Sequence, residues 1–359
     1  MTGNITGLEM ISEFEPGGAL YQVIPEVDRT RDPPETFLLG LGLWDRANVK
    51  HTKEEKDRTK GQVVRIDREN RVLARSPELS NIVYQLQPTS EGRIFVGCRN
   101  GDLMYLNPDL SIRRKINFQS KGLYFWTYNG CDLVATMREG AVVFFSLFSG
   151  RWEDSDYAHV VQVVDPSIRM WPVLHDSSLC FHTGHDRYLA GSYRGHLVVI
   201  EDRKVVKVLD RVGEKRSATW TLDLVNNRDF LGEWSSARYL VGTARGEIWS
   251  FDRELEDRVL VFQNESAITA TAPLNNMQIA IGDLKGDLHV WSLDGTIFHY
   301  PNPKQEQTHS NTIWWIAPEY SGHFPEDLGP KGRLQPDTRP GGILRVAYSN
   351  GQLRTFRAT

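Results

Sequence analysis

Seven glycines, Gly61, Gly101, Gly140, Gly195, Gly246, Gly286 and Gly351, each open a short stretch of the same pattern, at intervals of 39 to 65 residues. Two positions after each glycine stands an apolar residue: Val63, Leu103, Val142, Leu197, Ile248, Leu288 and Leu353. Five positions after it stands a large one: Ile66, Leu106, Phe145, Ile200, Phe251, Trp291 and Phe356. A unit of about 40 residues that cannot bury its apolar face alone must stack on its neighbours, so the period constrains the architecture more than any other feature.

Each unit reads as strand, tight turn, strand. In Tyr239-Leu240-Val241-Gly242-Thr243-Ala244-Arg245-Gly246-Glu247-Ile248-Trp249-Ser250-Phe251, apolar and β-branched residues flank a glycine able to adopt the positive φ of a hairpin tip. The residue before that glycine is polar in every copy (Lys60, Asn100, Glu139, Arg194, Arg245, Lys285, Asn350). Four positions before it lies a small residue, Gly97, Gly191, Gly242, Gly282 or Ala347, which lets a neighbouring sheet approach; Thr136 is the larger exception.

A further strand precedes the hairpin, as in Ala19–Pro25, Ile82–Pro88, Ala267–Pro273 and Thr312–Pro318, each expected to end at its proline. A fourth follows it, as in Val205–Leu209 and Val259–Phe262. Seven units of four antiparallel strands describe an all-β fold, a seven-bladed β-propeller, and the whole of residues 1–359 is expected to form one domain. The seventh unit stops at its third strand, and residues 8–14 are expected to supply the missing outer one, closing blade seven.

With 40% hydrophobic and 25% charged residues, the composition is that of an ordinary globular chain, and ten tryptophans suit half-buried strands. A net charge of −4 gives no general attraction to nucleic acid or an anionic membrane. Cys98, Cys131 and Cys180 are too few and scattered for a disulfide framework or a cysteine zinc site. The first eighteen residues carry Glu9, Glu13 and Glu15 without an apolar segment, which does not read as a signal peptide, and no stretch is apolar enough to span a bilayer as a helix. A cytoplasmic location is expected.

The hairpins resemble the WD-repeat family, whose unit ends in an apolar residue, a Trp and an Asp. Gly286-Asp287-Leu288-His289-Val290-Trp291-Ser292 is similar, with Ser292 in the Asp position, and the stretch from Gly140 to Gly150 is a second close copy. Ile66-Asp67, Leu106-Asn107, Ile200-Glu201, Phe251-Asp252 and Phe356-Arg357 are the other equivalents. The resemblance covers residues 8–359 but is degenerate. The family's Gly-His pair and its Asp-His-Ser-Trp network have no recognisable counterpart, since Gly184-His185 falls in the wrong strand gap. A divergent quinoprotein-type propeller is the alternative. The resemblance implies a non-catalytic scaffold that binds one or more proteins within a multi-subunit assembly.

No nucleophile elbow, H-E-x-x-H, C-x-x-C or phosphate-cradling loop is present. His175, His182, His185 and Asp186 are the nearest approach to a metal set, without a second cluster to complete it. The enzymatic alternative is a metal-dependent lactonase- or hydrolase-type propeller with its site at the channel mouth. That chemistry needs Glu, Asn and Asp on the first strands, which offer Tyr21, Tyr84, Trp126, Thr269 and Trp314 instead. No catalytic residue, cofactor or metal is assigned.

Departures from the repeat point to partners. Residues 45–60 expand one second-to-third connection with six basic and four acidic residues, a mixture that suits a solvated loop better than a nucleic-acid clamp; only this Lys-rich loop could reach nucleic acid. On the same face, Pro166–His175 reads as an apolar loop between blades, with Arg169, Met170, Trp171 and Leu174 as candidate partner-binding residues. The opposite face would carry Glu319–Gly342, rich in proline, and Asn226–Ser236, with Phe230 and Trp234 as further candidates.

Overall fold

A computed structural model describes residues 5–26, 36–43, 59–88, 92–117, 126–128, 132–137, 139–146, 158–176, 186–225, 238–275, 278–292, 294–302, 311–318 and 342–359. Twenty-eight strands follow in chain order. An N-terminal strand, β1 (Leu8–Phe14), precedes a first sheet of β2 (Ala19–Pro25), β3 (Thr36–Gly42), β4 (Gly61–Asp67) and β5 (Val72–Arg75). The second sheet holds β6 (Val83–Pro88), β7 (Ile94–Cys98), β8 (Asp102–Leu106) and β9 (Ile112–Asn117). The third holds β10 (Trp126–Tyr128), β11 (Asp132–Thr136), β12 (Ala141–Ser146) and β13 (Ala158–Gln162). The fourth holds β14 (Met170–His175), β15 (Arg187–Ser192), β16 (Leu197–Glu201) and β17 (Lys204–Leu209). In the fifth are β18 (Thr219–Val225), β19 (Arg238–Thr243), β20 (Glu247–Phe251) and β21 (Arg258–Gln263), and in the sixth β22 (Ile268–Asn275), β23 (Gln278–Asp283), β24 (Leu288–Ser292) and β25 (Ile297–Tyr300). The last sheet runs β1, β28 (Leu353–Ala358), β27 (Ile343–Tyr348), β26 (Ile313–Pro318).

These are the seven four-stranded antiparallel blades of a β-propeller, and no α-helix occurs among the described residues. The strand expected at residues 8–14 pairs with β28 from Leu8↔Ala358 to Phe14↔Leu353, with one bulge. Strands β1–β9 and β22–β28 form one compact unit, and β10–β21 a second.

Within each unit the core lies in layers between adjacent sheets. In the first, Leu38 and Val63 pack on Val83, Leu86, Val96 and Leu106. In the second, Val134, Val142 and Phe144 pack on Met170, Tyr188 and Val198. Middle strands such as β15 and β23 are buried on both faces, which is why they read as unbroken apolar runs; outermost strands such as β17 and β25 alternate because water covers one side.

Six of the seven repeat glycines occupy positive φ, between 66° and 89°. Gly61 does not: the long insertion before it replaces the tight hairpin, and Gly61 is the first residue of β4, paired with Gly42. It is small for another reason, because a Cβ there would strike the Asn81 carbonyl. The turn caps follow a rule that the repeat alone did not reveal. Ser192, Thr243 and Asp283, three residues before their glycines, each accept two backbone N–H bonds from the turn. In the second and seventh sheets that position is Cys98 or Tyr348, and Asn100 or Asn350 at the tip accepts the bond from Asp102 N or Gln352 N.

The small residues before the hairpins do admit the next sheet. A Cβ on Gly191 would meet Thr219, and one on Gly282 would meet Ile313. The exception, Thr136, donates its hydroxyl to the Trp171 carbonyl at 2.6 Å, so its extra atoms make a bond at the same junction. Proline ends β2, β6 and β26, but β22 runs on past Pro273 to Asn275. Each of these is the innermost strand, with one edge free of ladder bonds, so a proline there need not terminate it.

At the third-to-fourth turns, the residues standing for the family's Asp serve as caps: Asp67 accepts from Arg71 N, and Asp252 from Glu256 N and Asp257 N. Three residues on, Asn70, Leu110, Leu255 and Gly295 all have positive φ. Leucine is kept at two of these strained positions because Leu110 and Leu255 fill the cores below.

Burial also sets an acid sensitivity. The rings of His289 and its cross-strand partner His299 stack 4.6 Å apart at 9°. Burial first, and then His299, push the His289 pKa down to about 4. The fold therefore accommodates the neutral ring: its stability is complete above the ordinary value of ~6.5 and is lost as pH falls through and below it. His289→Phe is expected to retain on the order of 1–2 kcal/mol more of its neutral-pH stability at pH 4 than the parent does. Urea melts at the two pH values measure this; equal losses would refute it.

Candidate interaction surface

The first strands carry a device that their sequence pattern conceals. In five sheets the pairing with the second strand slips near its start, between Leu20/Gln22, Val83/Gln85, Met170/Val173, Thr219/Thr221 and Ile313/Trp315. The residue left over is aromatic each time: Tyr21, Tyr84, Trp171 (with Pro172), Trp220 and Trp314. A bulge leaves one residue out of register and re-aims its side chain, so an aromatic leaves the packed layer at the same end of each sheet as the second-to-third turn. A large aromatic interrupting an otherwise alternating strand, as in Leu20-Tyr21-Gln22-Val23, is the signal that could have identified the bulges.

In the first unit three of these rings meet. Tyr21 lies 5.2 Å from Tyr84 and 6.2 Å from Trp314, the latter pair stacked at 29°. Burial, followed by Tyr84, holds the Tyr21 phenol well above its usual pKa, so it stays a neutral hydroxyl. These residues are among those expected on the first strands. Thr269 is buried instead, bonding the Gly282 and Ile313 carbonyls, and the side chain of Trp126 lies outside the described residues.

In the second unit the segment expected as a loop over Pro166–His175 is only partly one. Its strand, β14, begins at Met170, because a Pro172 on an innermost, free-edged strand is compatible with pairing. Met170 (0% exposed) and Leu174 (2%) accordingly belong to the core, which corrects their expected place on an apolar loop. Arg169 and Trp171 remain partly exposed. They gather around Tyr193, a residue that the repeat pattern did not single out. Tyr193 N donates to Arg169 O at 2.9 Å, the Arg169 guanidinium lies 5.1 Å from the Tyr193 ring centre, and Trp171 meets that ring edge-on at 5.3 Å. Tyr193 itself is 39% exposed. Phe230 and Trp234, and the insertions at 45–58 and 319–341, lie outside the described residues.

At the opposite end of β14 from this cluster, a buried charge network ties the fourth and fifth sheets together. The Asp176 carboxylate, 1% exposed, accepts from Tyr239 Oη at 2.9 Å and from Arg253 Nε and Nη2 at 3.0 and 3.2 Å. Burial, and then Asp176, raise the Tyr239 pKa, so the phenol remains a donor. Arg187 reaches Glu254 at 3.1 Å and Glu201 at 3.3 Å.

His175 is buried, with Nε2 3.4 Å from Asp186; His182 and His185 lie outside the described residues. Among the described residues no three His, Cys, Asp or Glu side chains are grouped as metal ligands. A cleft of about 250 Å³ is lined by Asp132, Phe144, Asp186, Tyr188, Asp202 and Arg203. Its arginine is already engaged, at 2.6 Å from Asp132. Cys98 is buried, and burial pushes its thiol up to about 12, which makes it an unreactive core residue.

No protein-family model matches the chain, and no curated protein matches it in sequence. Solved structures do match in three dimensions. The WD40 β-propeller domain of Doa1 superposes with a TM-score of 0.68 at 12% identity, over 99% of this chain and 98% of that one. The β-propeller domain of Cps50 (Swd1) from Myceliophteria thermophila gives a TM-score of 0.65 at 14% identity, over 98% of this chain and all of its own. At such identities the likeness establishes the fold. This chain is a seven-bladed β-propeller, similar in fold to these WD40 and Swd1 propeller domains, with its N-terminal strand built into the last blade.

Proposed function

We propose that this chain is a non-catalytic, single-domain platform that binds one or more proteins in a multi-subunit assembly, through the end of its sheets that carries the second-to-third turns. The supporting observation is the cluster of Arg169, Trp171 and Tyr193, which is partly exposed, tied by the main-chain bond from Tyr193 to Arg169, and built from residue types that dominate binding hot spots. The aromatic group of Tyr21, Tyr84 and Trp314 adds a second patch of the same character. Phe230 and Trp234 are the competing docking pair. Cytoplasmic residence is part of the reading, which needs no cofactor or membrane, and no nucleic-acid contact beyond the Lys-rich loop at 45–60.

Affinity purification with mass spectrometry on the parent and on two double variants tests it. Arg169→Ala with Trp171→Ala is expected to reduce recovery of the parent's partners at least about tenfold while leaving the melting curve nearly unchanged. Loss with Phe230→Ala and Trp234→Ala instead would move the site to the opposite end. An unchanged partner set in both variants would refute docking through either group.

A further inference from the structure

Beside the cluster of Arg169, Trp171 and Tyr193 stand two further arginines. Arg194 follows Tyr193 at the tip of the turn between β15 and β16, and Arg216 lies in the segment that enters β18. The backbone brings the two together. A Cβ on Gly195 would strike the Ser217 carbonyl, so the tip that carries Arg194 rests on the residue after Arg216. The same tip is tied to Arg169 by the bond from Tyr193 N to Arg169 O. Three arginines from three separate segments therefore follow one another along one end of the fourth and fifth sheets. Arg194 and Arg216 are exposed, and neither guanidinium forms a hydrogen bond or an ion pair among the described residues.

The neighbouring charges leave a surplus of positive ones. Residues 165–169, 193–196 and 210–217 hold five basic side chains (Arg169, Arg194, Arg211, Lys215, Arg216) and three acidic ones (Asp165, Asp210, Glu214), in a chain whose net charge is −4. The Asp165 carboxylate already accepts from Ser167 N at 2.8 Å, and Arg211 donates to the Glu214 carbonyl at 3.1 Å. Arg245 and Glu247, at the next turn, pair with each other at 3.8 Å and cancel. Glu139 stands at the tip of the third sheet, where Gly140 packs on the Asp165 carbonyl.

His196 registers this field. Its ring is 8% exposed, with Nδ1 2.9 Å from Ser192 Oγ. Burial, above all, holds its pKa below the usual value; Asp210 opposes that, while Arg216 and Arg194 reinforce it. Both guanidiniums thus act on one buried imidazole, and a bound anion would relieve it.

We propose that the partner segment which docks on Arg169, Trp171 and Tyr193 is acidic, with Asp or Glu carboxylates seated on Arg194 and Arg216 and an apolar side chain against Trp171. This rests on docking through that cluster and adds the charge of the partner. A guanidinium fork matches a carboxylate in two-point geometry, and exposed charges of this kind steer encounter, so binding weakens as salt rises.

The probe is a fluorescein-labelled peptide with Phe at its centre and Glu on both sides, followed by fluorescence anisotropy. It is expected to bind with a dissociation constant of ~10–200 µM, at least about tenfold more tightly than its Gln and Lys counterparts. Arg194→Glu with Arg216→Glu is expected to weaken it at least about tenfold, whereas Arg194→Lys with Arg216→Lys stays within about threefold. Both positions are exposed, and circular dichroism confirms folding. In a proton NMR titration, saturating peptide is expected to raise the His196 pKa, because nearby carboxylates favour the imidazolium. A Gln peptide that binds as well as the Glu one, a charge reversal without effect, or a His196 titration that does not move would each overturn the proposal. Affinity purification separates it from the docking reading. Partners lost with Arg169→Ala and Trp171→Ala but kept with the double reversal would overturn the acidic partner alone; partners kept by both variants would overturn docking here as well.

Discussion

Deletion of residues 1–16 is expected to lower the melting temperature by at least ~10 °C, or to prevent folding altogether. The segment supplies a whole strand, β1, to the last sheet, and without it β28 becomes a bare edge. Ile5 and Leu8 leave the core that they share with Ile313, Leu344 and Phe356. The buried amide of Gln278 loses both its bonds to the Ile5 backbone, at 2.7 and 2.8 Å. Most costly, Arg354, 2% exposed, loses Glu13, which it holds at 2.9 Å and which also accepts from Gln352 at 2.8 Å. Glu13 is itself exposed, so water screens the pair, and Arg354 keeps Asn302 and Gln352; losing the carboxylate costs about 1–3 kcal/mol. Differential scanning calorimetry measures the change. Glu13→Ala, which keeps the strand, should reproduce a substantial part of it, and an unaltered melting curve after the deletion would mean that β1 does not hold the last sheet.

The second large effect separates two reasons for a glycine. Gly246 has φ +81°, and a methyl group there would collide with the Asn264 and Ser266 carbonyls. Gly295 has nearly the same φ, +86°, but nothing within 4 Å of an added Cβ. Alanine at 295 is expected to cost only the left-handed conformation, about 1 kcal/mol. Alanine at 246 adds the displacement of two backbone carbonyls and is expected to cost about 3 kcal/mol or more. Guanidinium melts of the two variants decide the matter. Equal losses would mean that the turn of the fifth sheet yields freely and that backbone conformation alone selects the glycine.

These expectations differ in how much of each was visible in the residues alone. The turn at Gly246 was legible because a hairpin tip is a local problem: positive φ, polar flanks and apolar strands are all set by neighbours a few residues away. The role of residues 8–14 was legible for a different reason, namely that six units had four strands and the seventh, as written, had three. The candidate surface was read less well. Trp171 and Arg169 were recognisable by type, but Pro172 and the bulge disguised β14 as a loop, and so Met170 and Leu174 were counted with the surface when they are core. Tyr193 gave no sign at all, since nothing in its turn announces that Arg169 and Trp171 will pack against it.

The sequence by itself determined the number of blades, the strand order within them, the hairpin tips and the chain end that completes the last sheet. All of these follow from period, alternation and turn chemistry, which act over a few residues and repeat. Only the tertiary structure decided which aromatics leave the core at bulges and which charges are buried together. Asp176 with Tyr239 and Arg253, or Glu13 with Arg354, are contacts between residues 63 to 341 positions apart. Such pairings arise when packed sheets bring distant side chains into one low-dielectric space, and no local pattern carries them.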